Sequence, residues 1–275
     1  MTSVTDYPHE SQSSSSRRGL LNACGLGAVG LVSLLAGCGS DSSGSPVAPT
    51  LDNDILNFIL NLKYLQAEAY TSAATGGALG VSDTSGTGLA GITTGGKKVT
   101  FTAPMATIVT ECAANELAHV QYLRNLLGPS VVAKPPIRLD ALGFGFDNEN
   151  DFLALARVLE DVSVSAHTGV LSQIHNPSTL AALGQILATD AYHAGNIRLQ
   201  IATKSVVTKP VDGSGGKDVL PPPTGTKYFA TDANGLTTLR STTEVIAIVR
   251  GDKAATGTIP YPNGFFPNGL NGNIG

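Results

Sequence analysis

The chain has 275 residues, a formal net charge of −4 and only 14% charged residues, with three cysteines and no tryptophan. No basic patch stands out, so nucleic acid is not an expected partner. Of the three cysteines only Cys112 is expected to remain free in the mature chain, so no intrachain disulfide is expected.

Residues 1–37 read as an export signal. Arg17-Arg18 follow a serine-rich stretch and precede an uncharged apolar run from Gly19 to Ala36. A positive region, an apolar region and a small-residue cleavage site define such signals. The run is about 18 residues, at the short edge of what spans a bilayer, so an uncleaved membrane anchor is the alternative. Ser16-Arg17-Arg18-Gly19-Leu20-Leu21 resembles a bacterial twin-arginine signal. Leu35-Ala36-Gly37-Cys38 resembles a lipoprotein processing box, which implies acylation of Cys38 and a membrane-anchored protein of the bacterial cell envelope. Residues 38–50 are dominated by Gly, Ser and Pro and read as a flexible tether. Cys24 would leave with the signal and Cys38 would carry lipid. Cys112 is then alone on an apolar helix face and is expected to be a small buried hydrophobe.

Four helices follow, over residues 51–203. The first is expected over about 51–74, where Leu51, Ile55, Phe58, Ile59, Leu62, Leu65 and Ala69 recur at helical spacing. The glycine- and threonine-rich residues 76–103 cannot continue it, and Lys97-Lys98-Val99-Thr100-Phe101 is the one candidate strand there. The second helix is expected over about 104–127, opened by Pro104 and stopped by Gly128-Pro129. The third is expected over about 149–175, broken by Asn176-Pro177. The fourth, over about 178–203, follows so closely that it must run antiparallel to the third. Residues 204–275 are rich in Pro, Gly and Thr. They hold one short helix behind the capping box Ser241-Thr242-Thr243-Glu244, and the rest reads as turns packed on the bundle.

Two carboxylate–histidine pairs lie inside these helices, Glu116–His119 and Asp190–His193. An acid and a histidine three apart project from one helix face. Two such helices, with one carboxylate from each of two more, form the inward ligand set of a di-iron or di-manganese four-helix bundle. Glu68 and Glu160 are the candidates for those two carboxylates. On a helical wheel Glu116 and His119 fall within about 40° of the centre of their apolar stripe. Asp190 also falls near a stripe centre, whereas His193, Glu160 and Glu68 sit on shoulders, at about 80°, 80° and 110°. An ionised carboxylate on an apolar stripe needs a partner, because burying it alone costs several kcal/mol. A divalent metal pair supplies that charge, and mutual acid–histidine hydrogen bonding is the alternative. Glu111 and Asp161 fall away from the stripes and read as solvated, and His167 reads as a core histidine.

At these residues the chain resembles bacterial ferritin-like proteins related to plant desiccation-related proteins. The resemblance rests on Asn61 to Glu68, on Asn115 to Arg124, on Asp190 to Arg198 and on the ending Gly264 to Gly272. It implies an all-α, ferritin-like four-helix bundle with a long irregular C-terminal extension. Two Fe or Mn ions would be held by Glu68, Glu116, His119, Glu160, Asp190 and His193, with chemistry directed at oxygen or peroxide. Asp190 stands where the wider pattern has Glu, and its carboxylate is one methylene shorter, which weakens the case for a bridging dinuclear site. A metal-free bundle serving as an envelope structural or binding protein is the other reading. The sequence leaves the oligomeric state open.

Overall fold

A computed structural model describes residues 51–212, 216–251 and 264–275. The export signal, Cys38 and the tether lie outside the described residues. Four long helices form the scaffold: α1 Leu51–Thr75, α3 Ala103–Leu127, α4 Glu149–Val170 and α5 Pro177–Thr203. Short elements fill the connections, namely α2 Val81–Thr84, β1 Thr93–Thr94 and β2 Ile137–Arg138, and α6 Thr242–Arg250 lies in the C-terminal extension.

Local signals set the helix ends. Asn148 caps α4 through bonds from the Asn150 and Asp151 amides, and Asn176 caps α5 through the Ser178 and Thr179 amides. Pro177 occupies the first turn of α5, where its missing N–H costs nothing. Ser241 and Glu244 close the capping box of α6, and Gly251 ends that helix in the left-handed region at φ 75°.

α1 packs mainly on α3 and α4 mainly on α5, and α1 against α4 joins the two pairs. Val99 N–H donates to Ala73 at the end of α1, while Asn57 near its start donates to Ser130 just beyond α3. Those two ties make α1 and α3 antiparallel. Asp52 secures the other pair to the same end, accepting from the His175 and Asn176 amides in the α4–α5 turn.

The expected strand at Lys97–Phe101 does not form. Val99 is instead buried against the end of α1, where its amide finds a helix carbonyl rather than a strand partner. The two connections pair at β1 and β2 instead, in parallel, with Thr93 opposite Ile137 and Thr94 opposite Arg138.

The helices differ in how much they bury. α3 and α5 bury one stripe and expose their outer faces. α1 and α4 are buried nearly all round, because the connections and the C-terminal extension cover what would otherwise be their solvent faces. Asn271 crosses α1, its amide and carbonyl meeting the Asn61 side chain, and Phe265 and Phe266 are fully buried. The Arg240 backbone rests on Gly169 of α4, where a Cβ would lie 1.8 Å from its carbonyl oxygen.

That cover corrects one expectation. Asp161 is buried, not solvated, and pairs with Arg198 at 2.7 Å and with Arg157 at 3.7 Å. Both arginines also hold the extension. Arg198 donates to the Tyr228 and Lys227 carbonyls, and Arg157 to Asp218 and the Lys209 carbonyl. A charge on the outer face of α4 is affordable because the extension brings its partners.

Candidate metal centre

The middle of the bundle holds a buried polar cluster. α3 contributes Glu116, α4 contributes Glu160, and α5 contributes Asp190 and His193, with one ligand atom from each lying within 4.8 Å of the others. The side chains arrive there because each lies on a face turned toward the other helices. Glu116, Glu160 and Asp190 have no exposed surface, and His193 has 7%.

Three of the donor atoms converge on one another within ion-pair reach but without an aligned hydrogen bond. Glu116 Oε1 and Glu160 Oε1 lie 3.3 and 3.6 Å from His193 Nδ1. All three atoms are buried and lack a hydrogen-bond partner among the described residues. Buried polar atoms are nearly always hydrogen-bonded, so three facing one spot without an aligned hydrogen bond are an unusual concentration. Two carboxylate oxygens and one imidazole nitrogen are a donor set suited to manganese or iron. The cluster fits a metal site.

The other side of the cluster is filled by a residue the sequence reading did not single out. Lys63 of α1 is fully buried, and its Nζ lies 2.5 and 2.6 Å from the two oxygens of Asp190 and 2.9 Å from Glu116 Oε2. His119 Nδ1 stands beside the same group, 3.6 Å from Glu116 Oε2 and 3.7 Å from Asp190 Oδ1. Glu116 therefore divides its oxygens, one toward His193 and one toward Lys63. Asp190 is completed by the Ser163 hydroxyl, which donates at 2.7 Å. Gln66, also on α1, donates to Glu160 Oε2 at 3.0 Å.

Glu68 is not in the cluster. It faces Lys134 at 3.4 Å and accepts from the Leu79 amide at 3.4 Å. Five residues along a helix turn through about 140°, so Lys63 and Glu68 cannot both face the site. The lysine takes that place. His119 reaches the rim, beside Lys63 rather than beside His193. Cys112 is buried, as expected, close to His193.

The charges are strongly coupled. Burial works against the Lys63 ammonium, but Asp190, Glu116 and Glu160 outweigh it and raise its pKa. Burial likewise opposes ionisation of Glu116, and the neighbouring Lys63 reverses this and holds the carboxyl well below its usual range. Glu160 is not in direct contact with the ammonium. Burial, together with the charges of Glu116 and Asp190, pushes it up to about 7 against the favourable contact with His193. Burial disfavours a charged His193, yet Cys112, Glu116 and Glu160 around the ring raise it. The Asn115 side-chain amide lies 3.1 Å from His193 Nε2, on the far side of the ring from the carboxylates. His167 is an inner support, with Nδ1 donating to the Ser163 carbonyl at 2.9 Å. Burial lowers it to about 4, so it is neutral near pH 7.

Among the described residues no helix is long and apolar enough to cross a membrane. The sequence model of a family described as a ferritin-like domain matches residues 51–203, the span from the start of α1 to the end of α5. No curated protein matches the chain.

Proposed function

The chain belongs to the ferritin-like domain family, and from that premise we propose that it is an exported metal-redox protein of the cell envelope, carrying a buried iron or manganese site. The observation that carries this reading is the set of three buried donor atoms with no hydrogen-bond partner, Glu116 Oε1, Glu160 Oε1 and His193 Nδ1. When bound, a redox-active ion would supply one-electron chemistry toward oxygen or peroxide.

The residues have separate tasks. Glu116 and Glu160 each present one oxygen, and Gln66 fixes Glu160 by donating to its other oxygen. The Asn115 side-chain amide nitrogen faces His193 Nε2; metal binding at Nδ1 would put the ring proton on Nε2, and a turn of that amide would then present its oxygen as the acceptor. Loss of the Nδ1 proton then presents a lone pair between the two carboxylates without moving the ring. Asn115 thereby orients the ligand from behind, as hydrogen-bonded neighbours of metal-bound histidines do. His119 and His193 are slightly exposed on the side where α3 and α5 flank the cluster, which offers small molecules the shortest approach.

Export through a twin-arginine-type signal and anchoring by lipidated Cys38 complete the reading, resting on residues 16–21 and 35–38. One purification tests both parts. Protein extracted from the membrane fraction is expected to carry an acylated N-terminal cysteine peptide and bound Fe or Mn, while the Glu160→Ala/His193→Ala variant should lose at least about 90% of that metal. An unacylated chain beginning at Met1 would sink the anchoring, and a metal content below about 0.2 per chain would sink the metal site. The latter result would favour a metal-free bundle, a reading that draws on Lys63, which already neutralises part of the carboxylate charge.

A further inference from the structure

The cluster has two cation positions, and the protein fills one of them itself. Around Lys63 Nζ stand Glu116 Oε2 and both oxygens of Asp190, and Glu116 Oε2 and Asp190 Oδ1 also face His119 Nδ1, which is buried and has no hydrogen-bond partner among the described residues. Around the other position stand Glu116 Oε1, Glu160 Oε1 and His193 Nδ1. Glu116 straddles the two, one oxygen on each side. Each side has an acid and a histidine, and the pair Glu116–His119 belongs to the lysine's side.

Charge decides how many ions such a site tolerates. Three carboxylates, Glu116, Glu160 and Asp190, face one ammonium. One divalent ion brings the buried total to neutrality. A second would leave two uncompensated positive charges, each costing several kcal/mol away from water. It would also have to displace Lys63 from the oxygens that both would need.

We propose that the Lys63 ammonium takes the place of a second metal ion, so that Glu116, Glu160 and His193 hold a single ion, and that Lys63→Glu lets the site hold two. This rests on the metal reading above. The substitution adds a fourth carboxylate, so two divalent ions again give neutrality, and it releases Asp190 and His119 to act as ligands.

The test is manganese stoichiometry on the full chain. Chelator-stripped protein is equilibrated with Mn(II), desalted and analysed by elemental mass spectrometry. Wild type should retain about one ion per chain and Lys63→Glu about two, as the charge count requires. Metal-free Lys63→Glu should also unfold at lower denaturant than wild type and recover on adding Mn(II). One ion in both proteins, or two in wild type, overturns the inference and leaves the metal site standing. No ion in wild type but binding by the variant upholds the role of Lys63 and overturns the natural metal site. No ion in either overturns both. If Lys63→Glu does not fold, Lys63→Asp is read the same way, since it also adds a fourth carboxylate and frees Asp190, Glu116 Oε2 and His119.

Discussion

Lys63→Met lowers the stability of the metal-free protein by about 3–5 kcal/mol, the usual result of removing one partner from a buried ion pair. Methionine fills the same volume, so cavity formation contributes little. What is lost is the counter-charge for Glu116 and Asp190, neither of which has any exposed surface. Denaturant titration in a chelator measures the loss, and a change below about 1 kcal/mol would contradict the assigned role. The pH dependence has a definite sign. Lys63 holds Glu116 well below its ordinary range in the fold. A carboxyl depressed in this way stabilises above its unfolded pKa, and the gain is lost as pH falls through the folded value. The gap between wild type and Lys63→Met is therefore present at pH 7, narrows as pH falls below about 4.5, and closes only through the still lower folded value of Glu116, below which both proteins bury neutral acids. Adding Mn(II) at pH 7 should close part of the gap, since a bound cation restores the missing charge.

Arg198→Met costs a comparable amount, about 3–5 kcal/mol, by a different route. Arg198 pairs with buried Asp161 at 2.7 Å and donates to the Lys227 and Tyr228 carbonyls of the extension. Its removal leaves Asp161 only the 3.7 Å approach of Arg157, whose stronger partner is Asp218 at 2.6 Å. Two carbonyls of the extension lose their donor as well. The variant should therefore lose stability and become sensitive to proteolysis between residues 216 and 240 before the bundle itself is cut. Arg198→Met/Asp161→Leu should recover at least half of the loss, because a buried pair replaced on both sides costs much less than one broken. Equal proteolysis of wild type and Arg198→Met would show that these bonds do not hold the extension down.

The four helices were legible because each carries an apolar stripe and a recognisable stop, such as Asn176-Pro177 before α5 or Gly128 after α3. The central acids were legible too. Glu116 and Asp190 lie on their stripes, where a solvated charge would not. The wheel failed where burial comes from outside the bundle. Asp161 reads as solvated on α4 alone, and only the arrival of the extension around Lys209, Asp218, Lys227 and Tyr228 buries it and its arginine partners. Lys63 was hidden for a related reason. It sits on a shoulder of α1, as Glu68 does, and nothing in α1 alone says which shoulder faces the other helices. The short reach of Asp190 was the available clue. A shorter acid leaves room beside it, and the long lysine side chain fills that room.

Anomalous diffraction from crystals soaked in Mn(II) tests the central claim most directly. One manganese peak is expected, about 2.0–2.3 Å from Glu116 Oε1, Glu160 Oε1 and His193 Nδ1, with the Lys63 ammonium still bound to Asp190. A second peak at the lysine's position, or no peak inside the bundle, would contradict it.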